Sequence, residues 1–439
     1  MEQNRVRTEG VRVSGDVRNR RPPTVVRAIG LSLATLIVLI CPSTGCVVVQ
    51  PAEDVAGASL TAQTVTPSAE LDLEWPERLG GVRGLVVPLE PTELSRVGAR
   101  LRGKRYLRPT ALDRADAAAL ASAVGDEAEG LSFEFEGPGS YVFGTTSQPP
   151  KRFSPLAMKV VSARPPSPDG NGWPTARIQR TWFAYERPRG EPRAVVLLMP
   201  GMFGTPGPIL NRISDSFRLK DIGVLRMLGH PSRFTEQVRF GGDAQPPATV
   251  EAVARELDDR VAEAAYAAWA AIDHLRAERP ETRDVPLVLM GGSGGAMILP
   301  TVAAYRPGEV SAAILVAGGA GFVAINEGSN YAGYIRAIDV SRVPAESKQD
   351  LFDRYRAASS LDGVHTAEVL KRFPTLMIHG TKDKAVPAEA GERLWELAGR
   401  PERWTYPLGH ELLFLNLVLE LGDVNEWLNE ALARPVEQP

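Results

Sequence analysis

Hydrophobic positions along this chain follow two periods that alternate. Ala194–Met199, Ile222–Met227, Val285–Met290, Ser311–Val316 and Thr375–His379 are almost wholly apolar runs of five or six residues. Runs of that length and composition predict strands covered on both faces. Between them the period becomes helical. Thr249–Arg279 places Val250, Val253, Leu257, Val261, Ala264, Ala265, Ala268, Trp269, Ile272 and Leu275 on one face, which predicts a long helix. Ala176–Glu186 reads as another strand, Trp404–Pro407 as a short last one, and Leu412–Leu432 as helical. Strands alternating with helices predict an α/β fold: a mostly parallel sheet, doubly wound.

Two regions break the rhythm. Residues 71–175 form an N-terminal extension or small accessory region, in which Arg83–Leu89 and Leu131–Phe135 read as strands. Asp113–Val124 reads there as an alanine-rich helix, and the Pro- and Gly-rich Pro149–Gly172 as loop. The second break lies at about 320–368, too long for a plain connection and containing Tyr, Phe, Ile and Arg. It is expected to be an inserted lid.

The amino-terminal segment has a different character. Residues 1–27 hold seven arginines against Glu2, Glu9 and Asp16, then Ala28–Ile40 is mostly apolar, then comes Cys41-Pro-Ser-Thr-Gly-Cys46. A cationic start, a short apolar run and small residues are the parts of an export signal. Ser-Thr-Gly before Cys46 resembles a bacterial lipoprotein signal, which implies Cys46 as the lipid anchor on an extracytoplasmic membrane face. Ser43 stands where that pattern prefers Leu. Thirteen apolar residues are too few to span a bilayer, though counting on to Val49 leaves a signal anchor open, as it does ordinary secretion. Residues 47–70, poor in large apolar side chains up to Ser68, read as a tether.

Composition narrows the chemistry. The net charge of -3 becomes -7 once the basic start is set aside, which gives no nucleic-acid footprint. Both cysteines lie in the export segment, so the folded body has neither disulfide nor thiol nucleophile. No His-Glu-x-x-His, cysteine cluster or calcium-loop spacing occurs, and the reading includes neither metal nor cofactor. Asp258-Asp259 reads as a solvated helix face.

The most informative motif follows the Val285–Met290 strand: Gly291-Gly-Ser293-Gly-Gly295. A serine on a sharp strand-to-helix turn needs neighbours without side chains, and the turn lifts its hydroxyl clear of the sheet. A nucleotide-binding loop is disfavoured, because the glycines fail the Gly-x-Gly-x-x-Gly spacing and no Gly-Lys-Ser/Thr follows. Three more pieces end strands in order: Pro200-Gly-Met202-Phe203-Gly204, His379-Gly-Thr-Lys-Asp383-Lys-Ala-Val-Pro387, and Leu408-Gly-His410-Glu411.

Together these resemble the α/β-hydrolase family of serine esterases, lipases and serine peptidases, over about residues 176–435. The resemblance implies a catalytic triad of Ser293, Asp383 and His410, with Gly291 and Gly295 framing the nucleophile. It also implies an oxyanion site from the N–H groups of Met202 and Gly294, although proline stands at 200 where the family's loop carries histidine. Phe203 and His230 are candidates for substrate contact. His379 reads as structural, His274 as a surface or packing residue, and His365 as a lid-hinge residue. The expected activity is carboxylic-ester hydrolysis through an acyl-enzyme, on a small-molecule ester or peptide substrate. A serine peptidase, an acyltransferase and a non-catalytic lipid-tethered binding protein are the alternatives.

Overall fold

The computed structural model describes residues 63–64, 83–89, 119, 133–134, 156–164, 176–202, 205, 207–228, 238–239, 249–332, 338–340 and 343–434. The export segment, Phe203, His230 and all but one residue of the 113–124 helix expectation lie outside them.

In chain order the elements are β1 (Gln63–Thr64), β2 (Arg83–Leu89), β3 (Phe133–Glu134), β4 (Leu156–Arg164), β5 (Ala176–Glu186) and β6 (Ala194–Met199). Next come α1 (Gly207–Arg218), β7 (Ile222–Met227), β8 (Val238–Arg239), α2 (Val250–Glu278), β9 (Leu287–Gly292), α3 (Gly294–Tyr305) and β10 (Val310–Val316). The remainder are α4 (Phe322–Gly328), β11 (Ile338–Asp339), α5 (Lys348–Ala358), α6 (Gly363–Thr366), β12 (Thr375–Gly380), α7 (Ala388–Leu397), β13 (Glu402–Tyr406), α8 (His410–Leu419) and α9 (Leu421–Ala433).

One sheet runs β1-β2-β4-β5-β7-β6-β9-β10-β12-β13, with β3 beside β5. From β7 to β13 every neighbour pair is parallel, whereas β1, β2, β4 and β5 extend the sheet in antiparallel order. Helices α1, α8 and α9 cover one face, and α2, α3 and α7 cover the other. Burial on both faces explains why β6 and β9 carry no charged residue and why β7 and β12 are mostly apolar, the buried Arg226 of β7 being paired with Glu186 at 2.7 Å. β7 and β9 flank β6, so the chain first moves to one side of β6 and then to the other. That reversal falls at the carboxyl ends of β6 and β9, the position at which open sheets of this kind bind ligands.

The long helix begins where its cap predicts: the Thr249 side chain accepts from the N–H of Ala252 at 3.1 Å. It packs against α3 through Trp269, whose Nε1 donates to the Val302 carbonyl at 2.8 Å. Its polar residues depart from the expectation. Asp258 and Asp259 are buried, not solvated. Asp258 accepts from Ser359 Oγ at 2.7 Å, from Ser360 N at 2.7 Å and from Leu361 N at 3.1 Å. The helix is covered on its outer side as well, by α5 and the segment after it.

Pro149–Gly172 is likewise not all loop. Leu156–Arg164 within it is β4, paired with β2 on one side and β5 on the other. Prolines at 149, 150, 155, 165, 166 and 168 bracket the strand and mask its apolar Leu-Ala-Met-x-Val-Val core. The helical run behind His410 is two helices that break at Glu420.

The 320–368 insertion divides in two. Leu351, Tyr355, Leu361 and Ala367 join the core formed with α2 and α3. Buried Asp362 ties this half back to the start of the insertion, accepting from Gly321 N at 2.9 Å, Phe322 N at 2.7 Å and Tyr355 Oη at 2.7 Å. Ser329–Ala332, in contrast, lies beside His410.

Candidate active site

Ser293 stands between β9 and α3 with φ 52° and ψ -118°. A side chain at such a φ costs about 1–3 kcal/mol and must be held by its surroundings. Here its N–H donates to the Val316 carbonyl at 2.8 Å and its carbonyl accepts from Met297 N at 3.0 Å. The close packing explains the glycines. A Cβ on Gly295 would sit 2.5 Å from the Met199 carbonyl oxygen and 2.6 Å from that of Pro200, and one on Gly291 would strike the Gly295 carbonyl at 2.5 Å. The turn can therefore close only against the end of β6 if these positions lack side chains.

Asp383 follows β12 in a loop stitched to the residues before α8. Thr381 N donates to Tyr406 O at 2.9 Å and Lys382 N to Leu408 O at 3.2 Å. Asp383 is buried while Lys382 and Lys384 point to solvent. One carboxylate oxygen accepts from Ala385 N and Val386 N, each at 2.9 Å, which leaves the other free for His410. His410 opens α8, with Nδ1 2.7 Å from Asp383 Oδ2 and Nε2 3.0 Å from Ser293 Oγ. Nδ1–H donating to the carboxylate leaves Nε2 to accept from the serine hydroxyl. The structure thus brings the three expected residues into one unbroken hydrogen-bonded line across 117 residues of sequence.

Met202 lies across the turn. Its backbone nitrogen is 2.9 Å from where a Cβ on Gly294 would stand, so the two amides are neighbours beside Ser293. Among the described residues, neither takes part in the backbone bonds of the surrounding turns. Gly201 N donates to Thr205 Oγ1 at 3.3 Å and fixes the loop that carries Met202.

The other described histidines, His274, His365 and His379, take no part in this hydrogen-bonded line. His379 is buried against Gly391, where an added Cβ would fall 2.1 Å from its ring. Burial holds its imidazole below the usual range, against the pull of Asp383. His274 is buried on α2 with its pKa lowered by desolvation, and neither ring nitrogen has a hydrogen-bond partner among the described residues. His365 is exposed and bonds the Arg356 carbonyl through Nε2 at 2.8 Å. Among the described residues no cluster of His, Cys, Asp and Glu could hold a metal ion, and no helix is long and apolar enough to cross a membrane.

Three residues near His410 were not anticipated. The ring of Phe414, one helical turn on, lies 5.3 Å from the imidazole, and that of Tyr331 lies 6.2 Å from it. Tyr331 Oη donates to the Glu411 carboxylate. Phe414 was findable, since position 414 falls on the face of α8 that carries His410. Tyr331 carried no local signal.

The chain matches no family model and no curated protein sequence. Among solved structures it is similar to Est1E from Butyrivibrio proteoclasticus, at 15% identity and TM-score 0.39 over 62% of this chain and 99% of that one. It is similar also to the Pyrococcus furiosus esterase Pf2001, at 13% identity and TM-score 0.37, covering 58% and 88%. An acylaminoacyl peptidase from Pyrococcus horikoshii matches at 12% identity and TM-score 0.41, covering 64% of this chain and 49% of the peptidase. At such identities neither activity nor site residues transfer, and the fold described above stands on its own strand order and register.

Proposed function

We propose that this chain is a serine hydrolase of the α/β-hydrolase type, cleaving carboxylic esters through an acyl-enzyme on Ser293. The observation that carries the reading is the Asp383–His410–Ser293 line, with contacts of 2.7 and 3.0 Å on a strained strand-to-helix turn. His410 Nε2 takes the hydroxyl proton as Ser293 Oγ attacks the ester carbonyl, and Asp383 steadies the resulting imidazolium. The N–H groups of Met202 and Gly294 hold the oxyanion, each such donor worth about 3 kcal/mol in the transition state. The protonated imidazole then passes its proton to the leaving alkoxide. Water, deprotonated in turn by His410, releases the acid and restores the serine.

The ester reading is preferred to a peptidase that grips a free amino terminus. Of the acidic residues in the insertion suited to that task, Glu327, Asp339 and Glu346, Glu327 pairs with Lys348 at 3.3 Å and Glu346 is exposed, while the Asp339 side chain lies outside the described residues. Within the insertion, Ser329–Ala332 is the part we assign to covering the site. For residues 1–46 we retain export with lipidation of Cys46, to be checked by the mass of the mature wild-type protein.

The test is turnover of chromogenic esters and aminoacyl amides by the wild type and Ser293→Ala. The proposal expects ester turnover that falls about 10³-fold or more in the variant. Amide turnover well above that of every ester would move the assignment to a peptidase. Undiminished ester hydrolysis by the variant would overturn it.

A further inference from the structure

Resting on the reading of His410 as the base, we propose that Tyr331, fixed by Glu411, is a positioning residue for the imidazole. No hydrogen bond joins it to the Asp383–His410–Ser293 line. Its ring stands edge-on to the His410 ring, centroids 6.2 Å apart and planes at 83°. Phe414 stands in a similar relation at 5.3 Å and 72°. Phe414 is itself seated over Gly292, where an added Cβ would lie 2.8 Å from its ring. The imidazole is therefore bordered by one aromatic ring from its own helix and another from the insertion.

Three contacts hold the second ring in place. Tyr331 Oη donates to Glu411, the residue that follows His410 at the start of α8. Tyr331 N donates to Ser329 Oγ at 3.1 Å and closes the local turn. Asn330 N donates to the carbonyl of Lys384 at 2.8 Å, beside Asp383 in the acid loop. Ser329–Ala332 is thus fastened to both elements that present the triad's acid and base. The Tyr331 ring is half-buried.

The physical consequence concerns the imidazolium. During acylation His410 must gain a proton, keep Nδ1–H on Asp383 and turn no further than needed to reach the leaving group. The Asp383 bond restrains the ring at one point only and still permits tilting about it. Aromatic rings set edge-to-face at its border limit that tilt. A misplacement of about 1 Å at such a site can cost 10²-fold in rate. Tyr331 borders the His410 ring, so its effect passes through the imidazole.

A double-mutant cycle on the full chain tests this, read as kcat and KM on a small acetyl ester and as the rate of fluorophosphonate labelling. Tyr331→Phe and Glu411→Ala should each lower kcat and the labelling rate by about 3- to 10-fold while KM stays within about 2-fold. The double variant should be no slower than the slower single, because both changes remove one contact. Glu411→Gln, which keeps an acceptor oxygen, should recover most of the loss. Ser293→Ala, run alongside, should abolish labelling. If it does not, the reading of the base falls, and the positioning role with it. If it does, while Tyr331→Phe and Glu411→Ala label and turn over at the wild-type rate, the positioning role alone is overturned. Additive losses, or losses confined to KM, would also overturn it in favour of a substrate contact.

Discussion

At the scale of single residues, the site depends on where side chains are absent as much as on where they are present. Gly295 faces the carbonyls of Met199 and Pro200 so closely that alanine would force backbone to move. The parts that would shift carry Ser293 and Met202. Gly295→Ala should therefore lower kcat by about 10²-fold, as expected for a displacement of about 1 Å between reacting groups. Gly308→Ala, where an added Cβ meets nothing within 4 Å, should leave initial rates unchanged. Wild-type rates in Gly295→Ala would show that the turn and the end of β6 need not touch. Ser293, Asp383 and His410 were legible in sequence because each follows a strand and sits among glycines that punctuate the turn. Tyr331 was not, since a contact between residue 331 and residue 411 depends on how a long insertion returns to the sheet.

At the scale of elements, apolar strands and the long helix were legible because their periods are uninterrupted. β4 was hidden by flanking prolines, which describe its ends and not its middle. The function of the insertion was only half legible. Its aromatic content is consistent with a cover over the site, yet most of those side chains pack into the core beside α2 and α3. Asp258 shows why the pattern misleads: a carboxylate on a helix reads as solvated until the partner that buries it is known. Asp362 is the comparable case within the insertion, as it satisfies two backbone N–H groups at the start of α4 and the Tyr355 hydroxyl. Asp362→Ala leaves all three buried without an acceptor, so it should destabilise by about 3 kcal/mol or more. The melting temperature measures this directly, and an unchanged value would mean that water replaces the carboxylate. Shortening the whole insertion should for the same reason unfold the protein, so selectivity is better probed at Ser329–Ala332.

At the scale of the whole molecule, two buried histidines outside the Asp383–His410–Ser293 line are expected to set an acid limit on stability. Burial holds the pKa of both His274 and His379 below the usual imidazole value of about 6.5. Unfolding restores that value, so the unfolded chain binds more protons as pH falls below it, and stability is lost from about pH 6.5 downward. His274→Leu should lose less melting temperature than the wild type between about pH 7 and pH 5. Equal slopes would show that protonation of His274 is not linked to unfolding. The same sheet brings Met202, Ser293, Asp383 and His410, which follow β6, β9, β12 and β13, to one end of its strands. This arrangement is expected to make Ser293, and no other serine, a nucleophile. The most direct measurement is covalent labelling of the wild-type protein with a fluorophosphonate, followed by peptide mapping. One adduct per chain, on the peptide containing Ser293 and absent from His410→Ala on the same timescale, is the expected result. An unlabelled Ser293, or an adduct mapped to a different residue, would contradict it.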